Sequence, residues 1–525
     1  MGTNKSSEIG RGAVQRPVNE DEPPPTEHRG GPGLRAVVSN SVWHCAGLAV
    51  LALALRLWGI ASQSLWLDEV LHFNLSRMPL MDMVRAVIGG ADNSPPLYVA
   101  ILHHVISWIG TDELALRAPS AIFGSASVVL VYLITRKLAD ARTAVVAGLL
   151  MAVSPLHVWY SQEARMYSLM VMLVLASTLV LVSAARRPSL RIWLVYVLLA
   201  VMGLYTHLYA FLSLVGQGCW LALDPELRQT TLKRWLVAQA VVMAFILPWL
   251  AVFSERPDRV AGFEKSVNPL VSLGYTFITF LAGYSVGPSV AQLHLDRSMA
   301  ALRPHLPLVA LYGVAGALVV ALGFLQWRRE RRLMSLALCM AAVPIAGALA
   351  ISEITSSVTY NVRYALGALP FVLIWFASGI AGRKYWTRTL LLAALLVLAG
   401  ISLWRGHVLP EYFKEDNRSA ASYIAAAGQP GDGVVLESSV PFEHYFPRSD
   451  LALYDLSHGL SKAERTGRAA QWAKRHRVIW LVECRSWTVD PEGVVPAALA
   501  HIRRPQRSMS FPGVRVTRYG ERSGP

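Results

Sequence analysis

The sequence predicts a mainly α fold: a polytopic membrane helical bundle carrying a small α/β domain at its carboxy-terminal end. Three observations predict it. Only 16% of the 525 residues are charged and 54% are hydrophobic, whereas a soluble domain carries about 25% charged residues. Long apolar runs alternate with short polar pieces from residue 41 to residue 404, and both ends of the chain are polar. The basic residues of that block fall in short clusters between the apolar runs, as topology signals do.

The elements follow in chain order. Residues 1–40 are rich in Pro, Gly and charge and cannot bury enough apolar area to offset ordering, which predicts a disordered cytoplasmic tail. Val42 to Ile60 reads as a retained first helix, because the polar stretch before it is too long for a signal-peptide n-region. The clusters Arg136-Lys137, Arg186-Arg187, Arg228 with Lys233-Arg234, Arg328-Arg329 with Arg331-Arg332, and Arg383-Lys384 all fall on the cytoplasmic side if helices lie near 42–60, 118–136, 143–159, 167–185, 192–205, 208–223, 235–253, 306–326, 333–351, 365–381 and 389–404. This expectation of about eleven crossings for residues 41–404 places the amino terminus inside and residues 405–525 outside. Leu97 to Ile109 is apolar but too short to cross, so it is expected as a surface-lying or re-entrant helix in a long outer loop over 61–117. A second long outer segment is expected over 254–305.

In the carboxy-terminal piece, Ser419 to Ala427 has a helical pattern, Gly433 to Leu436 reads as a short buried strand, and a helix near Lys462 to His476 precedes the apolar run Val478 to Val482. Helix followed by short apolar run, repeated, predicts a partly parallel sheet.

The charge and the cysteines exclude other classes. The formal net charge of +15 comes mostly from the membrane block, with 27 basic against 16 acidic residues, so it marks topology and predicts no nucleic-acid partner. Cys45, Cys219, Cys339 and Cys484 are too few and too scattered for a disulfide scaffold.

Four polar groups converge on one membrane face. Asp68 and Glu69 read either as a general base with an orienting or metal-binding neighbour, or as two solvated interfacial acids. If helical, Tyr160 to Tyr167 packs Glu163, Arg165 and Tyr167 into about two turns; it reads either as ion pairing or substrate contact, or as an interfacial loop with aromatic anchors. His207 is either a ligand or a structural hydrogen-bonding residue. Arg363, beside Tyr364, breaks the positive-inside trend, and either a lipid phosphate or interfacial snorkelling accounts for it.

These motifs carry a resemblance. Trp66-Leu67-Asp68-Glu69, Ser94-Pro95-Pro96-Leu97-Tyr98, Leu116-Arg117-Ala118-Pro119-Ser120 to Gly124, Tyr160 to Tyr167 and Arg363-Tyr364 look like those of the GT-C membrane glycosyltransferases. They are most similar to the family 39/83-like branch of protein O-mannosyltransferases and the lipid A aminoarabinose transferase. The resemblance covers residues 41 to about 440 and implies a polyprenyl-phosphate-linked sugar donor and a lipid, glycan or protein acceptor. It also implies inversion at the anomeric carbon on the outer face of the plasma (inner) membrane. Carried over, Asp68 is the general base or acceptor-orienting carboxylate and Glu69 the second acid of the pair. Glu163, Arg165, Tyr167, His207 and Tyr364 are implied as substrate-binding residues, and Arg363 would meet the donor phosphate. Ser94 stands where the family often has His, which puts metal binding there in doubt and leaves His103, His104 and His207 as spare candidates for a divalent ion. A polysaccharide polymerase or ligase and a lipid-linked sugar flippase are the alternative functions.

Overall fold

A computed structural model of the chain describes residues 2, 34–254, 268–296, 299–355, 359–456 and 459–521. All eleven expected crossings are helical over most of their length. Among the described residues seven helices are long and apolar enough to cross a membrane alone, and the bent pair Ala141–Val153 and Pro155–Ser161 brings the number to eight when counted as one span. The remaining three, Ser41–Leu57, Leu190–Thr206 and Ala210–Leu223, are apolar but shorter. This is a multi-pass membrane protein. Most of the expected tail lies outside the described residues, and helix α1 (Leu34–Leu57) begins inside its expected boundary.

The segment 61–117, expected as an outer loop, is not a bare loop. It folds into α2 (Leu67–Ser76), α3 (Leu80–Ile88) and the short apolar α4 (Leu97–Trp108). Helix α5 (Glu113–Leu138) starts five residues before its expected beginning, because Asp112 accepts the Ala115 N–H at 2.7 Å and caps it. Arg117 is therefore a helical residue. The segment 254–305 likewise holds the helix Pro269–Ala282, packed against Leu306–Phe324.

Helices α6 (Ala141–Val153) and α7 (Pro155–Ser161) meet at a bend of 58°. Pro155 has no N–H to offer the Met151 carbonyl, so that oxygen loses its helical partner. Arg56, fully buried near the end of α1, replaces it: the guanidinium donates to the carbonyls of Met151 (3.4 Å), Ala152 (3.2 Å) and Ala52 (2.9 Å) and lies 2.7 Å from His157 Nδ1. Gly124 of α5 faces this junction, where a Cβ would collide with Ser161 and come within 2.9 Å of Arg56 Nε.

The carboxy-terminal part contains a five-stranded sheet in the order β2-β1-β3-β5-β4, with β1 at Gly433–Leu436, β2 at Ala452–Asp455, β3 at Ile479–Cys484, β4 at Arg504–Phe511 and β5 at Val514–Gly520. Strands β1, β2 and β3 are parallel, whereas β3–β5 and β4–β5 are antiparallel. Val434 and Trp480 pack on one face with the helix Asn417–Ala427, while Val435, Ile479 and Leu481 pack on the other with Lys462–Arg475. Both faces are covered, which is why these strands read as continuous apolar runs.

Candidate active site

The two acids of α2 point in different directions, because successive helical residues are turned by about 100°. Glu69 points inward and is fully buried. Its carboxylate accepts two hydrogen bonds from Arg117 (2.8 and 2.7 Å), one from the Ala164 N–H (2.8 Å) and one from the Trp66 N–H (3.3 Å). Burial works against its charge, but Arg117 and Lys414 outweigh it and hold the acid down at about 2. Arg117 spends its other donors on the carbonyls of Ile60 (2.7 Å), Gln63 (2.8 Å) and Ser64 (3.0 Å), tying the loop before α2 to α5. Asp68 turns the other way, 23% exposed, with its carboxylate 3.5 Å from Arg363.

Arg165 donates to the Asp68 backbone carbonyl and to the Asp92 carboxylate, both at 3.2 Å. Asp92 also lies 2.9 Å from His72 Nε2 and accepts the Ser94 N–H at 2.6 Å. Burial would raise the Asp92 carboxyl, but Arg165 and His72 hold it well below the usual carboxylate range. Glu163 is the opposite case. Burial pushes it up and Lys414 pulls it down, while Glu69 and Asp68 nearby add to the rise. One Glu163 oxygen sits 3.2 Å from the Lys414 ammonium, and the other is buried without a hydrogen-bond partner.

Arg363 lies over the rings of Tyr167 (5.9 Å) and Tyr364 (5.6 Å). His207 stands beside Tyr167, Tyr209 and Tyr364. Burial, with Arg363 and Arg165 adding to it, pushes the imidazole down to about 3, so it is neutral. Its Nδ1 accepts the Tyr209 N–H (3.2 Å), which assigns the proton to Nε2. Buried polar atoms are normally hydrogen-bonded, yet Trp66 Nε1, Glu163 Oε2, Arg165 Nε, Tyr209 Oη and Arg363 Nε have no partner here. Such a gathering is what a polar substrate would satisfy.

The structure thus brings Asp68, Glu69, Glu163, Arg165, Tyr167, His207, Arg363 and Tyr364 to one end of the bundle. His103 instead bonds the Ser76 carbonyl at 2.8 Å, and His104 packs on Trp108. Sequence reasoning missed His72, Asp92, Lys414 and Arg485. Lys414 lies over Trp66 and Trp159, and Arg485 over Trp66 while bonding Glu415 at 2.7 Å. None of the four belongs to a periodic pattern that would mark it. Among the described residues no three His, Cys, Asp or Glu side chains form a metal site. The acids are faced by guanidinium or ammonium groups instead, so this donor set does not fit a divalent ion.

The same arrangement of chain recurs in solved structures. ArnT from Cupriavidus metallidurans in the apo state superposes with a TM-score of 0.56 at 12% identity, covering 91% of this chain and 98% of that one. The archaeal oligosaccharyltransferase AglB from Archaeoglobus fulgidus, in complex with an inhibitory peptide and a dolichol-phosphate, superposes with a TM-score of 0.50 at 12% identity, covering 93% and 75%. The chain has a GT-C fold. Within this fold, residues 93–251 match the family model described as dolichyl-phosphate-mannose-protein mannosyltransferase. A curated relative, the probable 4-amino-4-deoxy-L-arabinose-phosphoundecaprenol flippase subunit ArnE of Pectobacterium atrosepticum, is 31% identical over 100 residues, 19% of this chain and 83% of its own length. That match leaves four-fifths of the GT-C architecture unaddressed.

Proposed function

We propose that the protein is a membrane glycosyltransferase that moves a sugar from a polyprenyl-phosphate donor to a lipid, glycan or protein acceptor, with inversion, on the outer face of the plasma (inner) membrane. The observation that carries this reading is the partly exposed Asp68–Arg363 pair, 3.5 Å apart, at the edge of an otherwise buried charge network. The GT-C fold, the mannosyltransferase model over residues 93–251 and the dolichol-phosphate in the AglB structure support the donor class.

In this reading the acceptor hydroxyl attacks the anomeric carbon as the bond from that carbon to the phosphate oxygen breaks. The hydroxyl proton passes to the Asp68 carboxylate. The electron pair of the broken bond leaves with the polyprenyl phosphate, whose growing charge Arg363 stabilises. Glu69 has no free lone pair directed at a substrate. It acts as a positioning residue, anchoring the start of α2 through Arg117. Glu163, Arg165, Tyr167, His207 and Tyr364 line the substrate side. The positive-inside pattern supports a cytoplasmic amino terminus and an extracytoplasmic 405–525 segment, with 41–404 as the catalytic domain.

The test is sugar transfer by the purified protein in nanodiscs with a panel of polyprenyl-phosphate sugars, comparing wild type with Asp68→Asn and Arg363→Ala. Donor-dependent release of polyprenyl phosphate, lost in both folded variants, is the expected result. Full activity of Asp68→Asn refutes the assignment. Bulk movement of the donor lipid across the bilayer without sugar transfer favours a flippase, and transfer only to long glycans favours a polymerase or ligase.

A further inference from the structure

Lys414 belongs to the short segment between the last long apolar helix (Tyr385–Val408) and the helix Asn417–Ala427. Its backbone is fixed on both sides: the Lys414 N–H donates to Gln63 Oε1 (3.0 Å), the Tyr412 hydroxyl to the Gly287 carbonyl (3.0 Å), and the Ser64 hydroxyl to the Glu415 carbonyl (2.7 Å). The side chain is only 9% exposed and runs between the rings of Trp66 and Trp159. Its ammonium is 3.2 Å from one Glu163 oxygen and 3.9 Å from Glu69, whose carboxylate is already occupied by Arg117 and the Ala164 N–H. An ammonium has three donors, and this one has a single close acceptor.

The same lysine lines a cavity with Gln63, Trp159, Gln162, Tyr284 and His407. That cavity shares Pro155 with a second, apolar one lined by Leu150, Phe280, Leu281, Leu373 and Phe376. The two cavities thus both touch the bend between α6 and α7. On the other side, the Tyr284 hydroxyl is 2.7 Å from that of Tyr160, Tyr160 packs on Tyr167, and Arg363 lies over Tyr167. Lys414 and Arg363 therefore flank one tyrosine cluster.

We propose that Lys414 is a direct ligand of the donor's phosphate, exchanging its Glu163 contact for the phosphate oxygens when the lipid enters. This rests on the donor reading above and adds that the segment leading into the carboxy-terminal sheet supplies part of the donor site. No covalent bond changes in this step. A compact ammonium suits the task, binding phosphate as a point charge.

The experiment measures binding of undecaprenyl phosphate to the full-length protein in nanodiscs, with undecaprenol and inorganic phosphate as separate probes. Melting temperature is read in parallel. Lys414→Gln is expected to weaken undecaprenyl phosphate binding about tenfold to a hundredfold, to leave undecaprenol binding unchanged, and to be largely rescued as Lys414→Arg. The double variant Glu163→Gln/Lys414→Gln separates ligand from mere counter-ion, since it removes both charges. Its melting temperature should recover while phosphate-lipid affinity stays weak. Unchanged affinity in Lys414→Gln, or affinity restored in the double variant, overturns the proposal and leaves the glycosyltransferase reading intact. Binding of inorganic phosphate as tightly as the lipid overturns the lipid as ligand. A wild type that binds no undecaprenyl phosphate overturns the donor reading together with this one.

Discussion

Replacing each acid of the Asp68–Glu69 pair by its amide should separate function from support. Asp68 and Arg363 are each about a quarter exposed and 3.5 Å apart, a geometry in which an ion pair is worth about 0–1 kcal/mol. Asp68→Asn should therefore melt close to wild type and lose turnover. Glu69 differs in every respect. It is fully buried and accepts two Arg117 bonds and the Ala164 N–H, and breaking a buried pair from one side costs about 3–5 kcal/mol. A second route gives a similar size: an acid lowered from 4.5 to about 2 contributes about 3 kcal/mol at 1.36 kcal/mol per unit. Its folded-state value is depressed, so this contribution is present above the unfolded value and is lost as pH falls from about 4.5 toward 2. Glu69→Gln should lower the melting temperature of the protein in nanodiscs clearly. Glu69→Gln/Arg117→Gln should regain part of the loss by removing the orphaned guanidinium. The assay pairs thermal unfolding, followed by tryptophan fluorescence, with turnover on the same samples. A Glu69→Gln variant that melts like wild type yet has no activity would refute the reasoning and return Glu69 to the chemistry.

Two further outcomes are expected. Glu437, 1% exposed, accepts the Cys484 N–H (2.9 Å) and the Ser486 hydroxyl (2.6 Å) on one oxygen. Burial pushes it up to about 7, Ser486 opposing and Glu483 adding. The folded state then binds the proton more tightly, so this stabilisation is complete below about 4.5 and is lost as pH rises through about 7, a change of about 3 kcal/mol at most. Hydrogen exchange of the β1 and β3 amides between pH 5 and 8 should show the loss, and Glu437→Gln should abolish it; identical pH profiles for both proteins count against it. Gly124→Ala would drive a methyl group to within 2.8 Å of Ser161 Cβ and 2.9 Å of Arg56 Nε, an overpacking cost of about 1–3 kcal/mol. A melting temperature equal to wild type would show that the junction has slack.

The helical crossings were legible because a bilayer imposes a length of apolar chain that few other constraints imitate. The run Val478 to Val482 was legible for a related reason, since its strand is covered on both faces. Strand β4 was not: Arg504 to Ser508 are exposed, so no apolar alternation marks them. The start of α5 was hidden because Glu113 and Arg117 look like loop residues until Asp112 is seen capping them. In the site, Asp68 and Arg363 could be placed at one end of the bundle from topology alone. Telling Asp68 from Glu69 needed the rotation between neighbouring helical positions and the presence of Arg117. Asp92 and Lys414 needed the fold itself, since Lys414 reaches Glu163 across some 250 residues of sequence.

Arg117 grips three carbonyls of 60–64 and both oxygens of Glu69 at once. A segment so tied belongs to the frame of the bundle and cannot serve as a lid. The order of Asp68 is then established once, during folding, and not renewed in every cycle, which lowers the entropy lost on reaching a reactive alignment. In the proposed mechanism the protein works as a template, with substrates travelling to a stationary base.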